Sequence, residues 1–492
     1  MKKEQGSITV FLSLISVLFL SLACTLVESV RVQACRAKAE MITRMGLFSV
    51  FGEYEKQALL DYDILFLDGA CAGKEFSISM LEKKIQSYIS QNTKGQTTLL
   101  PLTIKKCEIQ GYTLATDEKG KVFERQAVEY QKETFAIDTL NQVLEDSREA
   151  VRQEEAGESL EEGSASLERQ IQQMTQEQED AGHHTQGEKE IPAKQESEKN
   201  PLDVIRQIKK MGILSLVVRE PERLSSKQTR EKELVSDRNL RAGSLRDRRE
   251  TGGATEKLLF NQYLKNHFSC YGQIREGGIL DYELEYLVAG KRSDVDNLKS
   301  VVHRLLLMRE GVNFLCVASD AQMRQQALLL ATALCGAAPI PALRTAVCAA
   351  LLLAWAYGES LLEVRTLLAG GKVPMIKTAS QWKLSLDQLG TLTQILKECD
   401  EGGGEGHSYE EYMWMLLAVG DRDVYAMRAI DLLECRMQEV QACQNFQADD
   451  AIVRLELSTL WEIRPMFLRI AAAFLGTGRQ NLTVEVRGTF GY

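Results

Sequence analysis

The sequence has no G-x-x-x-x-G-K-[ST], no G-x-S-x-G and no H-E-x-x-H. It therefore lacks the loop that cradles nucleotide phosphates, the tight turn that exposes a nucleophilic serine, and the helix that pairs two histidines on zinc. Histidine is scarce, five in 492 residues, and the one adjacent pair, His183-His184, falls in a strongly charged stretch where solvated side chains are expected. No C-x-x-C occurs among the eleven cysteines, whose number is odd and whose spacing is irregular. Neither a thiolate metal site nor a disulfide framework is expected from them. Cys316, Cys335 and Cys348 lie among apolar residues, where free cysteine acts as a small hydrophobe. An excess of positive charge is missing too: the formal net charge is −10, which argues against a nucleic-acid partner. There is no internal repeat. These absences leave no catalytic residue, metal ligand or cofactor to nominate, and a non-enzymatic protein is the expectation.

What is present begins at the amino terminus. After Lys2-Lys3 and Gly6 the chain carries no charge as far as Val27 and is rich in Leu, Ile, Val and Phe. A helix rising about 1.5 Å per residue needs about 20 such residues to cross a hydrocarbon core of about 30 Å. Residues 1–7 are expected to be a short leader and 8–27 a transmembrane helix, with Ile8, Val10, Phe11, Leu12, Leu14 and Val27 forming a membrane anchor in the lipid bilayer. A secretory signal is the alternative, with Ser21-Leu22-Ala23 as a small-x-small site releasing a secreted hydrolase or ligand-binding protein after Ala23. A lipoprotein signal ending at Cys24 fits poorly, because Ser21 and Leu22 are the wrong residue types ahead of it. The anchor is preferred because the uncharged run passes Ala23, and helical character continues through Glu40. Glu28 and Arg31 then become neighbours one turn apart. Lys2 and Lys3 on one flank are matched by Arg31, Arg36, Lys38 and Arg44 on the other, so basic residues alone do not orient the span.

Beyond the span an α+β fold is expected. Residues 28–150 read as a small membrane-proximal unit: a buried strand at 62–67, a helix at 77–91, a strand at 103–116 with a bulge at Gly111, and an amphipathic helix at 121–148. Residues 151–200 hold 13 acidic and 5 basic side chains and no aromatic, too little apolar surface to offset the entropy of ordering, so a disordered linker is expected. A short docking helix follows at 201–218, then a basic linker at 219–257. Residues 258–492 read as a large, mainly helical domain. Ser293 and Ser408 have N-cap spacing, and helices are expected at 321–335 and 341–368. The apolar run 345–357 is too short to cross a bilayer and is assigned to the core. Late strands, alternating from Val453 to Trp461 and from Leu482 to Val486, are expected to pair back with the early ones.

Few side chains invite a functional reading. Asp63 interrupts the expected buried strand and would need a partner there; with Asp61 and Asp68 it is a weak candidate for acid–base work. Glu359 ends the apolar helix at 341–368 as a structural ion pair, a surface charge or a protein contact. Asp294-Val295-Asp296-Asn297 lacks the glycine and closing glutamate of a calcium loop and is better explained by helix capping.

Gly6-Ser7-Ile8-Thr9-Val10-Phe11, followed by an apolar helix, resembles the amino termini of TadE/TadG-like pseudopilins of Tad/Flp systems. There a basic leader ends in glycine, which makes the Gly6–Ser7 bond a candidate processing site. The mature position that carries Glu in type IV pilins is Phe11 here. The chain is also similar to an uncharacterised family of clostridial-type membrane-anchored proteins associated with such loci. That likeness rests on Glu28-Ser29-Val30-Arg31, Leu60–Asp68, Glu285-Tyr286-Leu287, Trp355–Ser360 and Gly370–Pro374. The resemblance implies a single-pass membrane protein with its bulk outside the cytoplasm, acting through contacts with pilus or secretion-system proteins.

Overall fold

In the computed structural model the first element is also the longest: helix α1 runs unbroken from Glu4 to Phe51, 48 residues. The structure describes residues 4–70, 73, 75–93, 100–134, 140–182, 200–229, 233–245, 253–335, 341–398, 404–441, 443–467 and 481–492. After α1 come α2 (Lys56–Tyr62), strand β1 (Leu67–Asp68), α3 (Ile78–Thr93), β2 (Leu102–Leu114), α4 (Asp117–Thr134) and α5 (Leu140–Gly182). Then follow α6 (Pro201–Lys210), α7 (Ile213–Val217), α8 (Ala254–His267), α9 (Glu283–Ala289), α10 (Asp294–Ser319), α11 (Ala321–Cys335) and α12 (Pro341–Leu368). The last elements are α13 (Leu392–Glu398), α14 (Tyr409–Val419), α15 (Arg422–Glu439), β3 (Ala451–Ile463) and β4 (Leu482–Gly491). The fold is α+β, with a small antiparallel sheet and a large helical region. Two units divide it: Met1–Tyr130 with Glu233–Thr251 and Leu433–Tyr492, and Gln131–Lys232 with Gly252–Leu432.

In the first unit β3 is the central strand. It pairs antiparallel with β2 along one side, and with β1 and β4 along the other. The late strands thus close onto the early ones, as their alternation led us to expect. One face of β3 is buried, Leu455, Leu457 and Trp461 among it, and the second half of α1 packs over the sheet through Cys35, Ala39, Ile42, Leu47 and Val50. Thr43 and Thr459 meet across this contact at 2.9 Å, and the Trp461 indole N–H donates to Thr459 at 2.9 Å, so the polar atoms under the helix are satisfied. Gly46 lets α3 approach: a Cβ there would lie 2.5 Å from the Ile89 side chain. The register shifts between Ile109 and Gly111, the bulge expected at that glycine, and Leu245 fills the space a side chain there would take.

The second unit is helical. α10 and α12 form its centre, α5, α9 and α11 pack around them, and α14 packs on α5, α8 and α9. Ser293 caps α10, its hydroxyl accepting from the Asp296 N–H at 3.1 Å, and Ser408 with Glu411 forms a capping box on α14. The apolar residues of α12, Leu351, Ala356, Leu361 and Val364 among them, are buried inside this unit.

Three expectations need correction. The strand expected at 62–67 is instead the end of α2, whose cap Asp63 is left-handed (φ 53°) with its N–H on the Leu59 carbonyl at 3.0 Å; pairing is confined to Leu67 and Asp68. The helix expected at 121–148 is helical over 121–134, in α4, and over 140–148, in α5, while residues 135–139 lie outside the described residues. The acidic stretch expected to be a linker is helical as far as Gly182, and residues 183–199 lie outside the described residues. Its buried row is narrow and built largely of small or polar residues, Ala150, Gln153, Gly157, Ser164 and Ile171, which suits close packing on α10 and hides it from a count of apolar residues. Within the basic stretch, Leu234 and Val235 are buried in the first unit and Arg238 is locked into it.

Candidate functional site

The two halves of α1 have opposite surroundings. From Cys35 onward one face is core. In the first half Ile8, Val10, Phe11, Leu12 and Leu14 are 59–64% exposed and Val27 52%. Gly6 and Ser7 fall inside the helix, and their side-chain surroundings lie outside what is described. The hydroxyls along this half turn back on their own backbone: Ser13 on the Val10 carbonyl, Ser21 on Leu18 and Thr25 on Leu22, each at 2.8 Å. A helix pairs its backbone N–H and C=O groups internally, and these three hydroxyls are satisfied locally, so the segment offers few polar groups to water. The segment is long and apolar enough to cross a membrane.

A buried ion pair marks the change. Glu28 and Arg31, one turn apart, are 3% and 7% exposed and meet at 2.7 Å. The Glu28 carboxylate also accepts the backbone N–H groups of Met466 (3.2 Å) and Phe467 (3.0 Å), while Arg31 donates to the Arg464 carbonyl at 2.5 Å. Burial acts to raise the Glu28 pKa, but Arg31 and the two N–H donors outweigh it and hold the group below its ordinary value. The pair ties the end of β3 to the first turn of the packed half of α1.

Glu359 proves to be fully buried, neither a surface charge nor a contact. It accepts from the ammonium of Lys377 and from the N–H groups of Lys383 (3.0 Å) and Leu384 (2.8 Å). Lys377 also reaches Glu363 at 2.8 Å, and Glu363 pairs with Arg309 at 2.9 Å. Arg309 donates further to the carbonyls of Pro374 and Met375 and to the Tyr412 hydroxyl. Two cations and two anions thus form a neutral, desolvated cluster that fixes the 374–384 loop to α10 and α12. Burial pushes the Glu363 pKa up, yet Arg309 and Lys377 prevail and bring it down to about 2. None of these groups is free to act as an acid or base.

Three further carboxylates cap loops in the same unit. Glu283 accepts the Ser269 N–H (2.9 Å), Glu285 the Tyr271 N–H (2.9 Å) and the Tyr409 hydroxyl (2.6 Å), and Asp294 the Asp281 and Tyr282 N–H groups. Burial dominates for Glu283 and Glu285, whose pKa values rise to about 7. The capping explanation of 294–297 therefore stands. Asp63, for its part, holds the Tyr130 hydroxyl, and Asp61 pairs with Arg436 at 3.2 Å. Among the described residues no group of three His, Cys, Asp or Glu side chains is placed to hold a metal ion. A groove of about 1060 Å³ in the second unit, between α5, α6, α11 and α12, is lined by Arg169, Gln172, Asn200, Arg206, Leu334 and Val347 among others, with no carboxylate or imidazole among its described lining residues. Sequence reasoning found Glu28, Arg31 and Glu359. It missed Lys377, Arg309 and Arg238, which carry no local signature.

Among known proteins, the model of a family of unknown function (DUF5702) matches residues 192–463. No curated protein and no solved structure matches the chain.

Proposed function

The chain belongs to this family of unknown function, DUF5702, and we propose that it is a non-enzymatic, membrane-anchored component of a Tad-like pilus or secretion system. In this reading the bulk of the chain lies outside the cytoplasm and works through protein–protein contacts. One observation carries the reading: the apolar, exposed half of α1 continues without a break into the core of a folded unit. A helix of that kind transmits position rigidly between bilayer and ectodomain, whereas a cleavable signal has no reason to share a helix with the core. The pilus setting rests on the resemblance of Gly6–Phe11 to pseudopilin amino termini.

Carbonate extraction of membranes, protease treatment of intact protoplasts and intact-mass measurement test the reading together. The expected results are retention in the pellet, digestion of the ectodomain from outside, and a mass that is either full length or short by the six leader residues. Loss of 23 residues would favour the secreted alternative, and a soluble chain of full length would end the proposal.

A further inference from the structure

Strand β4 is an edge of the sheet. Its register with β3 runs from Leu482 opposite Ile463 to Gly491 opposite Arg454 without a shift, and the Tyr492 N–H just beyond donates to the Val453 carbonyl at 3.2 Å. In an antiparallel ladder the N–H and C=O of one residue point to the same side, and that side alternates along the strand. Val484, Val486, Gly488 and Phe490 therefore bond to β3 as Tyr492 does, while Thr483, Glu485, Arg487, Thr489 and Gly491 direct their backbone groups away from it. Among the described residues no strand pairs with that outer side. Neither a proline nor a bulge blunts this edge, and its two charges, Glu485 and Arg487, meet each other at 3.0 Å on the open face. On the opposite face α1 lies over the strand, with the Phe48 and Phe51 rings 5.8 and 4.9 Å from that of Phe490. Beside this contact runs a groove of about 450 Å³ lined by Met45, Phe48, Thr489 and Phe490 among others. Phe48 is 66% exposed there and Met45 43%.

We propose that this edge is a strand-addition site, where an extended segment of another protein pairs antiparallel with β4. Three features define the occupant. First, the outer N–H and C=O groups recur at every second residue, which only the backbone of an extended chain matches. A helix has already used its own backbone groups, and a lipid tail has none to offer. Second, the groove beside Phe48 takes apolar side chains on the α1 face, and strand alternation then makes the other face polar. Third, Glu485 and Arg487 select a cation and an anion directly across from them. β4 of a second copy would meet these requirements but for the direction of α1. That helix runs the same way as β4: Arg31 lies at Arg464, beyond the start of β4, and Phe51 lies against Phe490 and Tyr492 at its end. Antiparallel β4 strands would therefore aim the two α1 helices in opposite directions, which one bilayer forbids. That exclusion of a second copy rests on the membrane-anchored reading above; the site itself rests on the open edge.

A free peptide with the sequence of Leu482–Gly491 is a suitable probe, because it has no anchor. Centred on Val486, it sets its Glu485 against Arg487 of the chain, its Arg487 against Glu485, and Thr483 against Thr489, each pair joining two outward-facing residues. Residue-resolved hydrogen exchange on the full-length chain in detergent reads the pairing. With peptide at about ten times its Kd, the amides of Thr483, Glu485, Arg487 and Thr489 should exchange about tenfold more slowly. Those of Val484, Val486 and Gly488, already bonded to β3, should not change. The same peptide N-methylated at Glu485 and Arg487 keeps both charges, loses two donors and should have no effect. Arg487→Glu in the chain turns one attractive cross-strand pair repulsive and should weaken binding of the labelled peptide about tenfold. Its side chain is 69% exposed, so the melting midpoint should hardly move. A peptide carrying Glu485→Arg should restore the binding. Outer amides already slow without peptide, slowing that is absent or spread evenly over both sets, or failure of the charge-swapped peptide to restore binding would overturn the proposal. Crosslinks between the β4 strands of two intact chains in one membrane would instead overturn the anchored reading behind the exclusion of a second copy.

Discussion

Gly157 and Gly163 lie six residues apart on α5, and the fold assigns them opposite consequences. At Gly157 a Cβ would sit 2.0 Å from the carbonyl oxygen of Leu307 and 2.5 Å from its carbon, where ordinary contact begins at 3.4 Å. Both are backbone atoms of α10, so no side chain can swing away. Gly311 meets α5 from the other side, its Cβ position 2.7 Å from the Gln153 carbonyl oxygen. The two helices therefore cross glycine to glycine, and Gly157→Ala must part them by more than 1 Å or tilt one of them. Overpacking of this kind costs about 1–3 kcal/mol, and the lost contact along α10 adds to it. Against that stands the gain of about 1 kcal/mol when alanine replaces glycine inside a helix. Around Gly163 nothing lies within 4 Å, so Gly163→Ala should collect that gain undiminished. At about 2–4 °C per kcal/mol for a unit of this size, Gly163→Ala should raise the midpoint of helical melting by a few degrees. Gly157→Ala should lower it and Gly157→Val lower it further. Circular dichroism of the full chain in detergent reads both. If the two alanine variants shift the midpoint in the same direction, α5 does not pack on α10 as described. If neither shifts it, residues 151–182 behave as the solvated linker that their composition suggests.

Other perturbations follow from the buried charges. Lys377→Met should destabilise the second unit by about 3–5 kcal/mol, since Glu359 and Glu363 keep their burial and lose their shared cation; the melting midpoint reads it. In the first unit Arg238 holds Glu434 in a two-pronged pair at 2.6 and 2.7 Å and Asp449 at 2.6 Å, so Arg238→Ala should cost a similar amount. Arg238→Lys should recover part of it, because one ammonium cannot reproduce the fork. The pH dependence has a definite sign. Glu285 has a folded pKa raised to about 7 against an ordinary 4.5, so the folded state holds its proton more tightly. Its contribution to stability is complete below about pH 4.5 and is lost as the pH rises through 7. Thermal melts between pH 4.5 and 7.5 should show a shallower decline in Glu285→Gln than in the parent, and an unchanged slope would contradict the assignment.

How much of this was legible depended on whether a residue's partner lay within its own period. The alternation of Val453, Leu455, Leu457 and Trp461 exposed β3 because one side of that strand is buried under α1, and burial on one side is what a period of two records. The caps at Ser293 and Ser408 were readable because a cap and its target N–H are three residues apart. In α5 the row Ala150, Gln153, Gly157, Leu160, Ser164, Leu167, Ile171 has helical spacing, but glycine, serine and glutamine in it register as polar, so composition outvoted period. Glu359 was visible as an odd charge in an apolar helix. Its partner Lys377, 18 residues later in a loop, and Arg309 on another helix were not, because long-range ion pairing leaves no mark on spacing. Arg238 looked like one more cation in a basic run until its carboxylates arrived from residues 434 and 449.

The buried pair at Glu28 and Arg31 bears on how the proposed anchor is seated. A carboxylate held below its ordinary pKa is ionised at neutral pH, and an ionised group 3% exposed persists only because its donors come from a folded unit. Drawing α1 one turn deeper into lipid would pull Glu28 off the Met466 and Phe467 N–H groups and expose Arg31 to hydrocarbon. Drawing it one turn outward would bring Cys24, Thr25 and Val27 into water without giving the pair anything new to bind. On the anchored reading, the depth of insertion is therefore set by the fold of the first unit rather than by the length of the apolar run. The span is then limited to about 20 residues, or about 30 Å, which matches one hydrocarbon core with no surplus to be taken up by tilt.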